Sequence, residues 1–244
     1  MSGIITSTLK SDFTAIDCGA DRCTVEVEHT EESTAQISYS RGVSVYFKKS
    51  EGKLVIRRKK GLFLRIFKGE GSVKICVPGH IVPALYISGE GVNCTVSDCI
   101  FKAVEFTAAG SFSAQDAAME SCIINTPYCN AYIKGCTIKG NFIANAESGG
   151  INLEYTFASH VACRIKRGNT GALELNCKDS IFETGEGNIN ATILGDESKY
   201  DVIVNAREGI CNRESVNIEN EEGSFKAYAA KGNIVVDFIA AKEN

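Results

Sequence analysis

The 244-residue chain has no Trp, three Pro, two Met and three His, and its aromatic share is 8%. Without Trp, and with few bulky rings, a wide globular core is poorly supplied. No stretch carries the 3.6-residue apolar period of a helix, so helical classes drop out. No apolar run is long enough to cross a bilayer; Gly61 to Phe67, the most apolar run of its region, is short and contains Arg65. The start, MSGIITSTLKSDFTAID, lacks a basic segment followed by an apolar one, and no lipidation pattern stands at either end. The expected location is the cytoplasm, or the cell surface if a leader has been removed. With a formal charge of −4, nothing draws the chain as a whole toward nucleic acid.

Catalytic signatures are missing too. No glycine-rich phosphate or dinucleotide motif opens a helix. His29, His80 and His160 stand alone, with no nucleophile motif around them. None of the eleven cysteines forms a CxxC pair; the closest spacings are Cys18 to Cys23 and Cys94 to Cys99. The favoured reading is small buried core thiols, because Cys94, Cys122, Cys136, Cys163 and Cys177 alternate in step with Val, Ile and Leu. Disulfides and a metal site are the lesser alternatives. No cofactor, metal or catalytic residue is expected, and the protein is read as a non-enzyme.

What is present is 23 Gly, a 44% apolar share and short alternating segments between small polar turns. From Ala84 the chain runs strand, small-residue turn, strand, with turns at Gly91, Gly110, Asn130, Gly150, Gly171, Gly187, Gly209 and Gly232. The mean step is about 20 residues, the period of a stacked repeat. The expected fold is all-β: a single-stranded right-handed β-helix, or solenoid, of about 20 residues per coil with a less regular N-terminal β region. Eight to ten coils climbing by one strand spacing would make a rod roughly 40–50 Å long. The inward set runs from Leu85 and Ile87 through Leu173 and Leu175 to Val216, Ile218 and Phe238. A narrow interior accounts for both the missing Trp and the many cysteines. The last segment, FKAYAAKGNIVVDF, is read as a terminal coil whose open edge could pair with another subunit, end to end or edge to edge.

Residues 1–78 read as irregular coils or a cap, and residues 79–244 as the regular repeat, within one continuous unit. Pro78 and Pro83 mark the change. Residues 41–74 carry eleven Lys and Arg against Glu51 and Glu70, a local +9 that leaves −13 elsewhere. The bland reading is a solvated edge that discourages pairing. The functional reading is a contact with an anionic partner or membrane surface through Lys48, Lys49, Arg57, Arg58, Lys59, Lys60, Arg65 and Lys68, with Leu62–Phe67 beside it as a buried flap or an exposed patch.

The couple VEVEH…AQISYS with GKLVIRR, the strand SVKICVPGH ending in a Pro turn, and coils such as LYISGEGVNCTV resemble the putative adhesin family of uncharacterised bacterial β-solenoid domains. The resemblance covers most of the chain, although the turns SGEG, AAGS, ESGG and NTG depart from the family's usual turn. It implies a right-handed β-helix with a surface or interaction role. Three functions follow: a non-catalytic binding scaffold contacting protein or glycan through its outer faces, a membrane-associated accessory protein docking through the basic strip, or a β-helix polysaccharide lyase or hydrolase. The last would need clustered carboxylates. Asp98, Asp116, Asp179, Asp196 and Asp201 are candidates, but each is better read as a turn residue.

Overall fold

The computed structural model describes residues 3–9, 13–58, 70–218 and 222–240. The N-terminal part supplies β1 (Ile4–Leu9), β2 (Ala15–Gly19), β3 (Cys23–Thr30), β4 (Ala35–Ser40), β5 (Val43–Lys48), β6 (Lys53–Arg58) and β7 (Gly71–Pro78). Then come β8 (Ala84–Ser88), β9 (Glu90–Ser97), β10 (Ile100–Phe101), β11 (Ala103–Phe106), β12 (Ala109–Gln115), β13 (Ala118–Met119) and β14 (Cys122–Lys134). The longest strands follow, β15 (Thr137–Glu154) and β16 (Phe157–Glu186), and then β17 (Ile189–Leu194), β18 (Tyr200–Glu208), β19 (Gly223–Lys231) and β20 (Ile234–Ile239). The protein is all-β, and these strands join one curled sheet.

Parallel pairing dominates, and in the middle of the chain it repeats at a nearly constant step. Val104 lies opposite Leu85 on one side and Cys122 on the other. Phe142 lies opposite Cys122 and Val161. Each pass of the chain thus lays one rung on the last, eighteen to twenty residues further on. Side chains alternate, so every second residue enters one continuous hydrophobic cluster. Like stacks near like: Phe106 meets Phe112 at 5.4 Å between centroids, and Phe182 meets Phe225 at 5.8 Å. Almost every expected inward residue from Leu85 to Val236 is buried.

Leu173 and Val216 are exposed, at 39% and 44%, and Val204 and Ile218 are half-buried. Beside Leu173, Glu174 adopts a left-handed φ of 50°. The register slips there, Ala172 facing Ala191 and Leu175 facing Ile193, so one extra residue turns Leu173 outward. Val216 instead forms an antiparallel bridge with Val202 outside any strand.

The corners also differ from the expected set. Gly91, Gly110, Gly187 and Gly232 have positive φ, but Gly149 and Gly168 take this role in place of Gly150 and Gly171. Gly110, Gly149, Gly168, Gly187, Gly232 and Gly209 form a column in which an added Cβ would lie 1.8 to 2.0 Å from a carbonyl oxygen of the adjacent rung. Backbone approaches backbone there, which only glycine permits. The next position carries asparagines. The backbone N–H groups of Asn188, Asn233 and Ile210 donate to the Oδ1 atoms of Asn169, Asn188 and Asn233 at 2.7, 2.9 and 3.0 Å.

At both ends the rungs leave chain order. β2 pairs with β6 on one side and β8 on the other, and β3 lies between β7 and β9. β6 and β7 therefore lie outside β2 and β3, which precede them in sequence. Antiparallel strands β1, β4 and β5 close that end through the pairs β1–β4, β4–β7 and β5–β6. At the other end β19 lies between residues 179–186 of β16 and β18, while β20 pairs with β17. The segment 223–239 is thus an inner rung, and residues 200–216 form the outer one. This corrects the expectation that the final segment leaves an open edge. Asn212 bonds both the N–H and the C=O of Val236, and Ser215 Oγ does the same for Val204.

The nine cysteines other than Cys76 and Cys211 are buried, those two are partly exposed, and all eleven are free thiols. Burial pushes the thiols of Cys18, Cys99 and Cys129 up to about 12.

Candidate functional site

The strands that begin each rung present one outward face. Its members are β14 from Cys122, β15 from Asn141, β16 at residues 160–166 and again at 179–186, β19, and β18. Because the registers hold, outward residues form columns running across the rungs. One column reads Asn141, His160, Asp179, Ser224, Asp201. The next is apolar except for one Lys: Ile123, Ile143, Ala162, Ile181, Lys226, Ile203. A third reads Asn125, Asn145, Arg164, Glu183, Tyr228, Asn205, and a fourth Glu147, Lys166, Gly185, Ala230, Arg207.

The third and fourth columns line a cavity of about 710 Å³. Within it Arg164 Nε donates to Glu183 Oε2 at 3.0 Å, and Lys166 Nζ to Glu147 Oε1 at 2.7 Å. The bonded Lys166 ammonium holds the Glu147 carboxyl below its usual range. Both pairs are solvent-exposed, so they organise side chains more than they stabilise the fold.

A second cavity on the same face, about 400 Å³, lies along the first column. Asp179 accepts from Ser224 Oγ at 2.9 Å through one oxygen and faces His160 Nδ1 at 3.1 Å through the other. The carboxylate sits between His and Ser, whereas nucleophile activation needs the His between them. Asp179 and Asp201 thereby depart from the turn reading: both lie within strands, two rungs apart, with Ser224 between them. Asp196 is a true cap, accepting from the Ser198 N–H at 3.0 Å, and Asp98 and Asp116 occupy left-handed corners. Among the described residues no group of three or more His, Cys, Asp or Glu could hold a metal ion.

The basic strip lies on the same sheet but four pairings away, Val55 of β6 reaching the column of Ile123 through Asp17, Tyr86 and Glu105. Lys48 and Lys53 both pair with Glu51, the latter at 3.1 Å. Arg57 bonds Asp17 Oδ2 and the Asp17 carbonyl, each at 2.8 Å. Lys49 is exposed, and Arg58 packs beside Gly71. Lys59, Lys60, Arg65, Lys68 and the run Leu62–Phe67 lie outside the described residues. No helix among the described residues is long and apolar enough to cross a membrane.

Sequence reading did not single out Arg164, Glu183, Tyr228 or Arg207. A signal existed in the Gly-Asn dipeptides at 168–169, 187–188 and 232–233. Their first step is 19 residues and their second 45, which gives the register and shows that a rung is skipped.

No protein-family model and no curated protein sequence matches the chain. Solved structures similar to it are described as putative adhesins. One, from Bacteroides fragilis NCTC 9343, aligns over 97% of this chain and 97% of its own at 16% identity, with a TM-score of 0.50. Others, from Parabacteroides distasonis ATCC 8503 and Parabacteroides merdae ATCC 43184, align over 98% and 96% of this chain, and 98% and 95% of their own, at 12% identity and TM-scores of 0.42. At such identities the first likeness speaks to the fold.

Proposed function

We propose that the protein is a non-catalytic, adhesin-like binding scaffold, built as a right-handed single-stranded β-helix and contacting protein or glycan through an outer face. The near-constant parallel step supports the β-helix reading. The observation that carries the function is the face from Ile123 to Arg207, where outward side chains stand in register beside a 710 Å³ cavity while the core behind them is filled with apolar groups. A ladder of this kind offers ligand groups at the strand spacing, roughly 4.8 Å, which suits an extended ligand lying across rungs. The fold likeness to proteins described as adhesins agrees with it.

The test is an array of immobilised glycans and extracellular proteins, probed with the native chain and with Ala230→Trp, which fills the cavity from an exposed position. Binding to one class that Ala230→Trp abolishes is the expected result. Binding insensitive to that change would remove the face from consideration. Release of new reducing ends from any polymer on the array would sink the non-catalytic reading.

A further inference from the structure

Taking that binding face as given, the charges in the cavity specify a ligand class. Arg164 and Lys166 are each matched by a carboxylate, Glu183 and Glu147. Arg207 lines the same cavity, is exposed, and has no ion pair or hydrogen bond among the described residues. The lining therefore carries +1 on a chain of net charge −4.

Between Lys166 and Arg207 the fourth column drops to Gly185 and Ala230. Lys166 is directed the other way, to Glu147 one rung back. A Cβ at Gly185 would lie 2.5 Å from the Lys166 carbonyl oxygen, so that position must stay small. Two adjacent rungs thus leave a pit. Glu183 and half-buried Tyr228 rise beside it from the third column, Asn205 stands next to Arg207, and Arg207 closes one end.

We propose that this pit binds a carboxylate-bearing pyranose of an acidic glycan. The Arg207 guanidinium takes the carboxylate through paired N–H donors. The Tyr228 ring offers a flat apolar surface to the C–H face of the sugar. The Glu183 carboxylate accepts from hydroxyls, and the Asn205 amide both donates to them and accepts from them. A nucleic acid is disfavoured, since one uncommitted cation cannot follow a phosphate chain.

The carboxylate has two sources, a uronic acid within a polymer or a terminal sialic acid, and the test has an arm for each. Galacturonate tetramer and sialyllactose are titrated calorimetrically against galactose tetramer and lactose. The acidic member of at least one pair should bind about 10-fold tighter or more, the scale of one charge-assisted contact. Arg207→Gln, an exposed change whose fold is checked by circular dichroism, should erase that preference, and Tyr228→Ala should weaken both members. Equal binding of acidic and neutral sugars overturns the proposal, as does a preference that survives Arg207→Gln. Absence of all sugar binding, with protein binding on the array still blocked by Ala230→Trp, also overturns it but leaves the binding-face reading standing. Loss of both would bring down the two together.

Discussion

The middle of the molecule and its two ends obey different ordering rules. From Ala103 to Leu175 each rung rests on the one before it in sequence, so closing every contact takes a loop of about 20 residues. At the ends, contacts span much longer stretches: Ala15 faces Ala84, and Asp179 faces Ser224. The segments 15–30 and 223–239 are inner rungs with hydrogen bonds on both sides, internal segments lie outside them, and β1 pairs on one side only, with β4. Termini are where fraying ordinarily starts. The segments 15–30 and 223–239 must each leave from between two neighbours, so the reordering opposes fraying there while the antiparallel strands and the Asn212 and Ser215 contacts cover the edges.

The thiols give the largest contrast between the two regions. Nine are buried, while Cys76 and Cys211 belong to the two outermost rungs. The folded values of the buried thiols lie above the ordinary value of 9.0, reaching about 11 for Cys23 and Cys177 and about 12 for Cys18. Their stabilisation is therefore complete below pH 9 and is lost as pH rises through the window from 9 toward the folded values, because the unfolded chain gives up its protons first. Each buried thiol contributes a slope of about 1 kcal/mol per pH unit. Against a total stability of roughly 5–15 kcal/mol, the eight buried thiols other than Cys136 should together unfold the protein as pH rises through that window. A strand circular-dichroism signal unchanged at pH 12 would contradict this. At pH 8, mass spectrometry of alkylated protein should show Cys211 modified first and Cys76 more slowly, since desolvation and the contact with Glu28 raise the Cys76 thiol. The other nine should react only in denaturant.

Within the middle, the glycine column should tolerate nothing larger. At Gly168 an added Cβ would sit 1.8 Å from the Gly149 carbonyl oxygen, on a residue with φ of 145°. Gly168→Ala should cost about 4 kcal/mol or more in urea unfolding, or prevent folding. Gly150→Ala, whose Cβ would have 3.7 Å to Asn130 Oδ1, should stay within about 1 kcal/mol. Equal effects would mean that the rungs approach each other less closely than described.

Phenylalanine truncation compares the two regions directly. Phe142 and Phe225 are both fully buried, and each loss to Ala should cost about 3–5 kcal/mol. Phe142→Ala, in the ordered middle, should lower one cooperative transition. Phe225 touches Phe182 and Phe238 at the reordered end, and Phe225→Ala should let residues 200–239 exchange amide hydrogens ahead of the rest. Identical exchange maps for the two variants would show that the ends share the stability of the middle.

The smallest effects belong to the asparagines. Asn188→Ala removes one acceptor for the Asn233 N–H and should cost about 1 kcal/mol. Asn212→Ala, on the outer rung, frees both groups of Val236 on the inner one. It should cost about 1–2 kcal/mol and shift the elution of the protein toward a larger species on a sizing column. Elution as in the parent would mean that other contacts suffice to cover that edge.

Much of this was legible in the residues. Period-two alternation picked out the strands, and small-residue punctuation at a 20-residue interval announced stacked rungs from Ala84 onward. Leu173 was misplaced because alternation carries no warning of a bulge at Glu174. Gly149 and Gly150 are adjacent and Gly168 and Gly171 only three residues apart, so the members of each pair look alike until a carbonyl is placed against one of them. The cavity was missed for a different reason. Its walls come from passes 19 to 45 residues apart, and only register brings Arg164 beside Glu183, or Tyr228 above Asn205.

Local chemistry alone, then, determined that this chain makes strands, where it turns, and which side chains go inward, since those depend on neighbours two residues away. Which rung lies next to which was decided by the folded molecule. Every strand edge offers the same donors and acceptors, and only the competition among all of them placed β2 and β3 inside β6 and β7, and 223–239 inside 200–216. The matched ion pairs of the outer face, and the place of Arg207 beside them, are consequences of that choice.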